Sequence, residues 1–537
     1  MSRLIGRARP ISGLFSGRAC GLLAAFCLLL AALTDQTEKS GICADWSGRL
    51  IGGIGLIAVL VLAVISARRR PADGDVRTEN ILLCLMIAGF LLRLWYVLYT
   101  PVNVRQHDVF SFGETEPMTA FNNYRHAEYI EYICRYLSLP EVDPRAVGLS
   151  QLYHPPLHHL IAGLWLRLQL ALGCGYRRAV ESIQLLTLMY SALIMPLAGR
   201  LFSRLGLYGR GLCLAMAVVC FHPAFIWMAG GVNNDILCVM LGIAALSATV
   251  KWAQTPSVRT ILPIALCVGL SMMTKLSGGL LAPGIAVVFL WRAGQEVLAD
   301  RRALLRYVRQ FALFAVICVP PALWWQVKNA VCYGTPLTYV PGMSSQSSQY
   351  IGGYSVWQRL FGLPIESLRS PFLLWAREGG AFNEYSIPLA TLKTAAFDET
   401  ALFSADTTVG AVGLWVSRLL FFSHAFLALG GTVATGEAVL RRRFSGGRML
   451  CTMLTVTTVV MAASYLSFCF AYAHTCTMNF RYLATLPVIG AAFWGALYTR
   501  VSRRSEGSFA ALQRGMLTLT ALFCVSSAAV YTLLMAV

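Results

Sequence analysis

Long, uninterrupted apolar segments constrain this chain more than any other feature of its sequence. A stretch of about 18 or more apolar residues predicts a helix that crosses a lipid bilayer. Only 13% of the 537 residues are charged, against about 25% in ordinary soluble domains. The apolar segments recur along the whole chain, near 14–33, 50–66, 81–99, 156–173, 183–202, 211–229, 235–252, 260–274, 277–292, 311–325, 411–431, 449–471, 483–499 and 516–536.

Backbone chemistry fixes the type of these spans. Lipid offers no hydrogen-bond partner, so each span must satisfy its own amides as a helix. We therefore predict an all-α polytopic membrane protein, a bundle of about 12–14 apolar helices with two sizeable external loops. The expected organisation is 1–99, first spans; 100–155, first external loop with interfacial helices; 156–325, transmembrane core with a re-entrant or partial span; 326–410, external loop or cap; and 411–537, C-terminal spans.

The basic residues indicate the orientation. Short cytoplasmic loops collect Lys and Arg, and the net charge of +19 is concentrated in such runs beside apolar segments. Residues 100–155 instead hold four Arg against seven acidic residues, so we expect that segment and 326–410 to be external. No basic run lies in a foldable soluble domain, which argues against a nucleic-acid partner. The runs are Arg68–Arg70, Arg301–Arg302 with Arg306 and Arg309, Arg441–Arg443 and Arg503–Arg504.

Two local questions stay open. When the spans are counted between the loops assigned as internal and external, 156–173 and 183–202 both begin on the external side, and two consecutive spans cannot both do so. Either 156–173 is re-entrant or lies along the membrane surface, or 260–274 or 277–292 does not cross the membrane. Residues 121–137 show helical spacing of apolar side chains with charges opposed. That pattern fits an amphipathic helix at the membrane interface, and equally a helix packed on the core of its own loop.

Carboxylates follow two of the apolar segments at the external level. Asp108, just beyond 81–99, is placed to take a proton from an acceptor hydroxyl or to ligate a divalent cation such as Mg or Mn, and His107 is a second candidate base. The plain alternative is that Asp108 caps a helix or pairs with Arg105. Asp235 closes a Gly-Gly-Val-Asn-Asn-Asp turn in which Asn233 and Asn234 are candidate helix caps.

Histidines surround a double proline at the start of the 156–173 segment. Proline suits the first turn of a helix and holds the preceding residue extended, so His154 is presented at a helix start, where anions bind. We expect His154, with His158 and His159, to bind a phosphate or lipid headgroup when cationic, or else to form an interfacial polar belt. His158 and His159 are adjacent and face apart on a helix, and we predict no metal site among these residues.

Some basic residues are expected on the external side, although positive charge is usually concentrated on the cytoplasmic side. Lys275 lies between the segments 260–274 and 277–292, and Arg481 and Tyr482 open the 483–499 span. They are placed either to pair with a phosphate or to pair with Asp108 or Asp235.

At these residues the chain resembles the GT-C glycosyltransferases of the protein O-mannosyltransferase and aminoarabinose (lipid A) transferase type. The resemblance rests on Asp108, the HPPL segment 154–157, the Asn-Asn-Asp turn, Lys275, and Arg481–Tyr482 ahead of Pro487. It implies a polyprenyl-phosphate sugar as donor, inversion at the anomeric carbon, and an acceptor that is a protein, a lipid or a wall polymer.

The resemblance also implies roles for these residues. Asp108 would be the base, with Glu128 as the alternative, and Asp235 would provide the second acidic position. His154, Lys275 and Arg481 with Tyr482 would hold the donor phosphate. The expected location is the plasma membrane, with the active site on the external face.

A transporter or flippase of a lipid-linked or anionic solute is the alternative function. Such folds often show inverted repeats and buried midplane charges. The sequence has no repeat, and its charges are expected at helix ends, so we favour the transferase.

Overall fold

The computed structural model describes residues 12–34, 53–59, 61, 74–103, 112–113, 116, 125–145, 151–374, 382–399, 408–504 and 507–534. Within these ranges all regular elements are helical, and Tyr350 pairs with His474 in an isolated β-bridge. The all-α prediction is confirmed. The helices are α1 (Gly17–Leu33), α2 (Gly74–Tyr99), α3 (His126–Tyr136), α4 (Leu157–Ala171), α5 (Tyr176–Glu181), α6 (Gln184–Arg204), α7 (Gly209–Phe221), α8 (Pro223–Gly230), α9 (Asp235–Gln254), α10 (Val258–Thr274), α11 (Ala282–Ala299), α12 (Ala303–Tyr333), α13 (Val356–Phe361), α14 (Ile365–Arg369), α15 (Ile387–Phe397), α16 (Thr408–Leu440), α17 (Gly447–Ala471), α18 (Leu486–Val501) and α19 (Gly507–Leu533).

The described part of the chain contains nine helical segments that are long and apolar enough to cross a membrane. Three of them, Tyr176–Arg204, Gly209–Gly230 and Leu276–Ala299, each join two consecutive helical elements. A further pair, Thr475–Leu483 and Leu486–Val501, passes the same criterion with a bend of 52°, and α1, α10 and α15 are shorter apolar helices. The protein is therefore an integral membrane protein, as predicted.

Several helices run past their apolar segments. Helix α12 has 31 residues and continues to Tyr333, and α16 has 33 residues and begins at Thr408. Both helices extend beyond the apolar segments 311–325 and 411–431, because backbone hydrogen bonding continues after the apolar composition stops. Helices α13, α14 and α15 lie between these two spans. The external position of that segment stays a prediction.

Helix α3 packs against α4. The helices meet at Gly163, where an added Cβ would lie 2.7 Å from Ile133 Cγ2, so only glycine permits this approach. Ile130 and Glu128 of α3 are buried, which favours the packed alternative over a helix lying free at the interface. Helix α4 has 15 residues, about 22 Å at 1.5 Å per residue, against the roughly 30 Å of a hydrocarbon core. Its partial crossing stays a prediction.

A buried arginine braces the break between α7 and α8. Pro223 has no amide hydrogen, so the carbonyl of Val219 loses its helical partner. Arg93 Nη2 donates to that carbonyl at 3.2 Å and Nη1 donates to Cys220 O at 2.7 Å. The Arg93 side chain is fully buried within α2, so the expectation that charge is confined to helix ends was wrong. Its bonds to backbone oxygens identify it as a brace for the helix break.

Candidate functional site

A carboxylate and two cations meet at the point where three elements converge. The hairpin between α8 and α9 presents Asp235, the end of α10 presents Lys275, and the turn before α18 presents Arg481. Lys275 Nζ lies 2.5 Å from Asp235 Oδ1, and Arg481 Nη1 lies 3.8 Å from Asp235 Oδ2. All three residues are less than 10% exposed. Among the described residues, both cations pair with this one carboxylate, an arrangement that can also bind an anion.

The Tyr482 ring lies next to both cations. The Arg481 Nη2 group donates to the Tyr482 hydroxyl at 3.1 Å. Lys275 Nζ lies 4.8 Å and Arg481 Cζ 5.1 Å from the centre of the Tyr482 ring, within the range of cation–π attraction. The ring thereby helps to fix both cations beside the carboxylate.

The Asn233–Asn234 pair builds the hairpin that carries Asp235. Asn233 Oδ1 accepts from the Asp235 amide at 3.1 Å and so satisfies the first amide of α9. Asn234 Nδ2 donates to the carbonyl of Thr274 at 3.0 Å, which ties the hairpin to the residue before Lys275. The asparagines predicted as supporting residues thus set the distance between the carboxylate and the ammonium.

A cavity of about 350 Å³ opens beside this cluster. Its wall includes His154, Lys275 and Tyr482, three of the residues predicted to hold a phosphate. A smaller cavity of about 30 Å³, lined by Asp235, Arg481 and Tyr482, adjoins it through Tyr482. The structure therefore brings four chain segments, including the one that carries His154, to two neighbouring cavities with shared lining residues.

Two lining residues were missed by sequence reasoning. Gln326 and Asn329 of α12 are buried and face the larger cavity. The Gln326 Oε1 atom has no hydrogen-bond partner within the described residues. Their spacing of three residues on one helix face, just after Trp325, was the available signal. They were overlooked because the helix was expected to end at 325.

The histidines do not act as one group. His159 Nε2 lies 2.7 Å from His126 Nδ1, and the His126 ring stacks on His154 with centres 5.8 Å apart. His158 points elsewhere, with its ring against Tyr190. Burial lowers the pKa of His158 to about 4 and that of His159 further below its ordinary value. The lowered pKa values favour the neutral form of both side chains, and binding of phosphate by them as cations stays a prediction.

The remaining candidate site residues differ in whether the structure describes them. Glu128 lies in the first turn of α3, two positions after His126, and is 8% exposed. Asp108 and His107 lie outside the described residues. In the described ranges, no three or more His, Cys, Asp or Glu side chains are grouped to hold a metal ion.

Comparison with known families gives a partial match. Residues 153–325 match the model of the dolichyl-phosphate-mannose-protein mannosyltransferase family. This segment resembles that family, as the sequence motifs predicted. It contains His154, Asp235 and Lys275. No curated protein sequence matches the chain.

Solved structures show more distant likeness. The oligosaccharyltransferase AglB from Archaeoglobus fulgidus, solved with an inhibitory peptide and a dolichol-phosphate, is 12% identical, with a TM-score of 0.45 over 86% of this chain and 55% of that one. The present chain thus spans about half the length of the archaeal protein. ArnT from Cupriavidus metallidurans, in its apo state, is 14% identical, with a TM-score of 0.41 over 84% of this chain and 76% of that one. Its undecaprenyl phosphate complex is 13% identical, with a TM-score of 0.41 over 85% and 76%.

Proposed function

We propose that this protein is a membrane glycosyltransferase that moves a sugar from a polyprenyl-phosphate donor to an acceptor on the external face, with inversion at the anomeric carbon. The observation that carries the proposal is the buried pair of cations, Lys275 and Arg481, which both pair with the carboxylate of Asp235 beside a cavity walled by His154. The match of residues 153–325 to a mannosyltransferase family supports the same activity.

The electrostatics suit a departing phosphate. A polyprenyl-phosphate sugar carries one negative charge on its phosphodiester, and the phosphate gains charge as its bond to the sugar breaks. Fixed cations in a water-poor site stabilise that growing charge more than the ground state. Lys275 and Arg481 would contact the phosphate, and Asp235 would be a positioning residue that holds both cations in place.

Inversion would follow from a single displacement. The acceptor oxygen would form a bond to the anomeric carbon while the bond from that carbon to the phosphate oxygen breaks. The acceptor proton would pass to a carboxylate, for which we propose Asp108, with Glu128 as the alternative. Polyprenyl phosphate would leave toward Lys275 and Arg481, and no further co-reactant is needed.

Binding of undecaprenyl phosphate to the purified protein in detergent tests the phosphate site. We expect Lys275→Ala to weaken binding about 10- to 100-fold, since a hydrogen bond to a charged group contributes about 1.5–3 kcal/mol. Arg481→Ala, which keeps the Lys275–Asp235 pair, guards against misfolding of the first variant. Lys251→Ala, an exposed lysine at the far end of α9, is the matched control. Unchanged affinity in both site variants would contradict the proposal.

Reconstituted vesicles distinguish the transferase from a flippase. The protein is supplied with labelled polyprenyl-phosphate mannose and a membrane extract as the source of acceptor. Label on the acceptor supports the transferase. Equilibration of the labelled lipid between leaflets without any product would support the transporter and refute the transferase.

A further inference from the structure

A second, larger cavity comes close to the candidate site at one end, where its lining includes Phe480, the residue before Arg481. It has a volume of about 660 Å³, within the usual range of ligand pockets, and is lined by α15, α16, α17 and α18. Its lining along α16 extends from His424 to Leu440, about 24 Å at 1.5 Å per residue. The wall consists mostly of small and apolar side chains, such as Gly431, Gly436 and Gly490. A slot of this length and character suits a hydrocarbon chain.

A second cavity with basic residues in its wall adjoins one end of the apolar cavity. A further cavity of about 430 Å³ shares Val439 and Thr455 with the apolar one, and its wall includes Arg442 and Arg448. Helix α17 begins here, and its far end lines the candidate site through Phe468. Arg448 and Phe468 are about 30 Å apart along that helix, the thickness of a hydrocarbon core. The basic space therefore lies at the opposite membrane surface from the candidate site.

The two arginines are not neutralised within the described residues. Glu437, the acid nearest them in the chain, pairs with Arg441 and Arg500 instead. Helix α17 begins at Gly447 without a side-chain cap, so its first amides add positive potential at the same place. Positive charge at the mouth of an apolar slot matches a molecule with an anionic head and a hydrocarbon tail.

We propose that this pair of cavities binds one anionic phospholipid from the leaflet opposite the candidate site. Its phosphate lies between Arg442 and Arg448, and one acyl chain enters the slot past Gly436. The proposed phosphate position lies at the opposite end of α17 from the candidate site, so lipid binding there and sugar transfer are measured separately.

Native mass spectrometry of the full chain in detergent tests this site. The probes are dioleoyl phosphatidylglycerol, which is anionic, and dioleoyl phosphatidylcholine, which has no net charge. We expect Arg442→Gln with Arg448→Gln to weaken phosphatidylglycerol binding by about 30-fold, because each basic residue beside an anionic headgroup contributes roughly fivefold to affinity. The preference over phosphatidylcholine should disappear with it. Arg301→Gln with Arg302→Gln, at exposed positions outside both cavities, is the matched control.

A second variant tests the slot. An added Cβ at Gly436 meets no atom within 4 Å, so Gly436→Leu fills the cavity without a backbone clash. We expect it to weaken binding of both lipids. Gly515→Leu is the control, because Gly515 is equally open but lies on α19 outside the cavity. Retained phosphatidylglycerol preference in the arginine variant, equal loss in the Arg301/Arg302 control, or unchanged binding in Gly436→Leu would each overturn the proposal.

Discussion

Replacing Asp235 with asparagine tests two proposed roles of the cluster of Asp235, Lys275 and Arg481, which are to stabilise the fold and to bind phosphate. The substitution keeps the shape of the side chain but removes the negative charge that lies 2.5 Å from Lys275 Nζ and 3.8 Å from Arg481 Nη1. Breaking a buried ion pair by removing one partner costs about 3–5 kcal/mol, because the remaining charge is left uncompensated. Here two cations lose their shared partner, so we expect a loss at the upper end of that range.

A bound phosphate should restore part of the lost free energy of unfolding. A ligand that binds only the folded state stabilises it by RT ln(1 + [L]/Kd). If Lys275 and Arg481 bind phosphate, the Asp235→Asn variant should gain more stability from undecaprenyl phosphate than the wild type, since the lipid supplies the missing negative charge. The assay is equilibrium unfolding in mixed SDS micelles, with and without the lipid.

Two variants control this experiment. Asp143→Asn removes an acid whose pair with Arg145, at 2.8 Å, is exposed to solvent, and we expect little or no loss of stability. Asp235→Asn combined with Lys275→Met restores the charge balance, so its loss should be smaller than the sum of the two single losses. The reasoning is refuted if Asp235→Asn costs no more than Asp143→Asn, or if undecaprenyl phosphate stabilises the variant less than the wild type.

The remaining predictions concern the base, the buried arginine and a buried histidine. Asp108→Asn should leave expression and folding intact but abolish sugar transfer in the vesicle assay, and full activity would remove Asp108 as the base. Arg93→Met should cost about 3 kcal/mol, since it leaves two buried carbonyls unpaired, whereas Arg77→Met at the exposed start of α2 should be neutral in the same unfolding assay. Because the pKa of His158 is lowered in the folded protein, the unfolded chain takes up a proton at this residue at a higher pH than the folded chain does. Folding stability should therefore fall as pH drops from about 6.5 toward 4. His158→Gln should flatten that dependence, and an unchanged slope would exclude His158 as its source.

The sequence located much of the bundle because apolar length is a local property. The segments predicted at 235–252 and 449–471 correspond closely to α9 and α17. The positions of the helix ends were harder to predict from the sequence. The break at His222–Pro223 lies inside a continuous apolar run, and α12 continues into polar residues that still favour a helix.

Composition and periodicity were enough to determine that this chain spans a membrane many times, and that acids and cations gather near the ends of particular helices. Only the folded chain decided which of them meet. Lys275 and Arg481 lie far apart in sequence and share Asp235 because three turns converge, and the pKa values of His158 and His159 are lowered because neighbouring helices bury them. Pairing and desolvation depend on which surfaces touch in space, and no single segment of sequence carries that information.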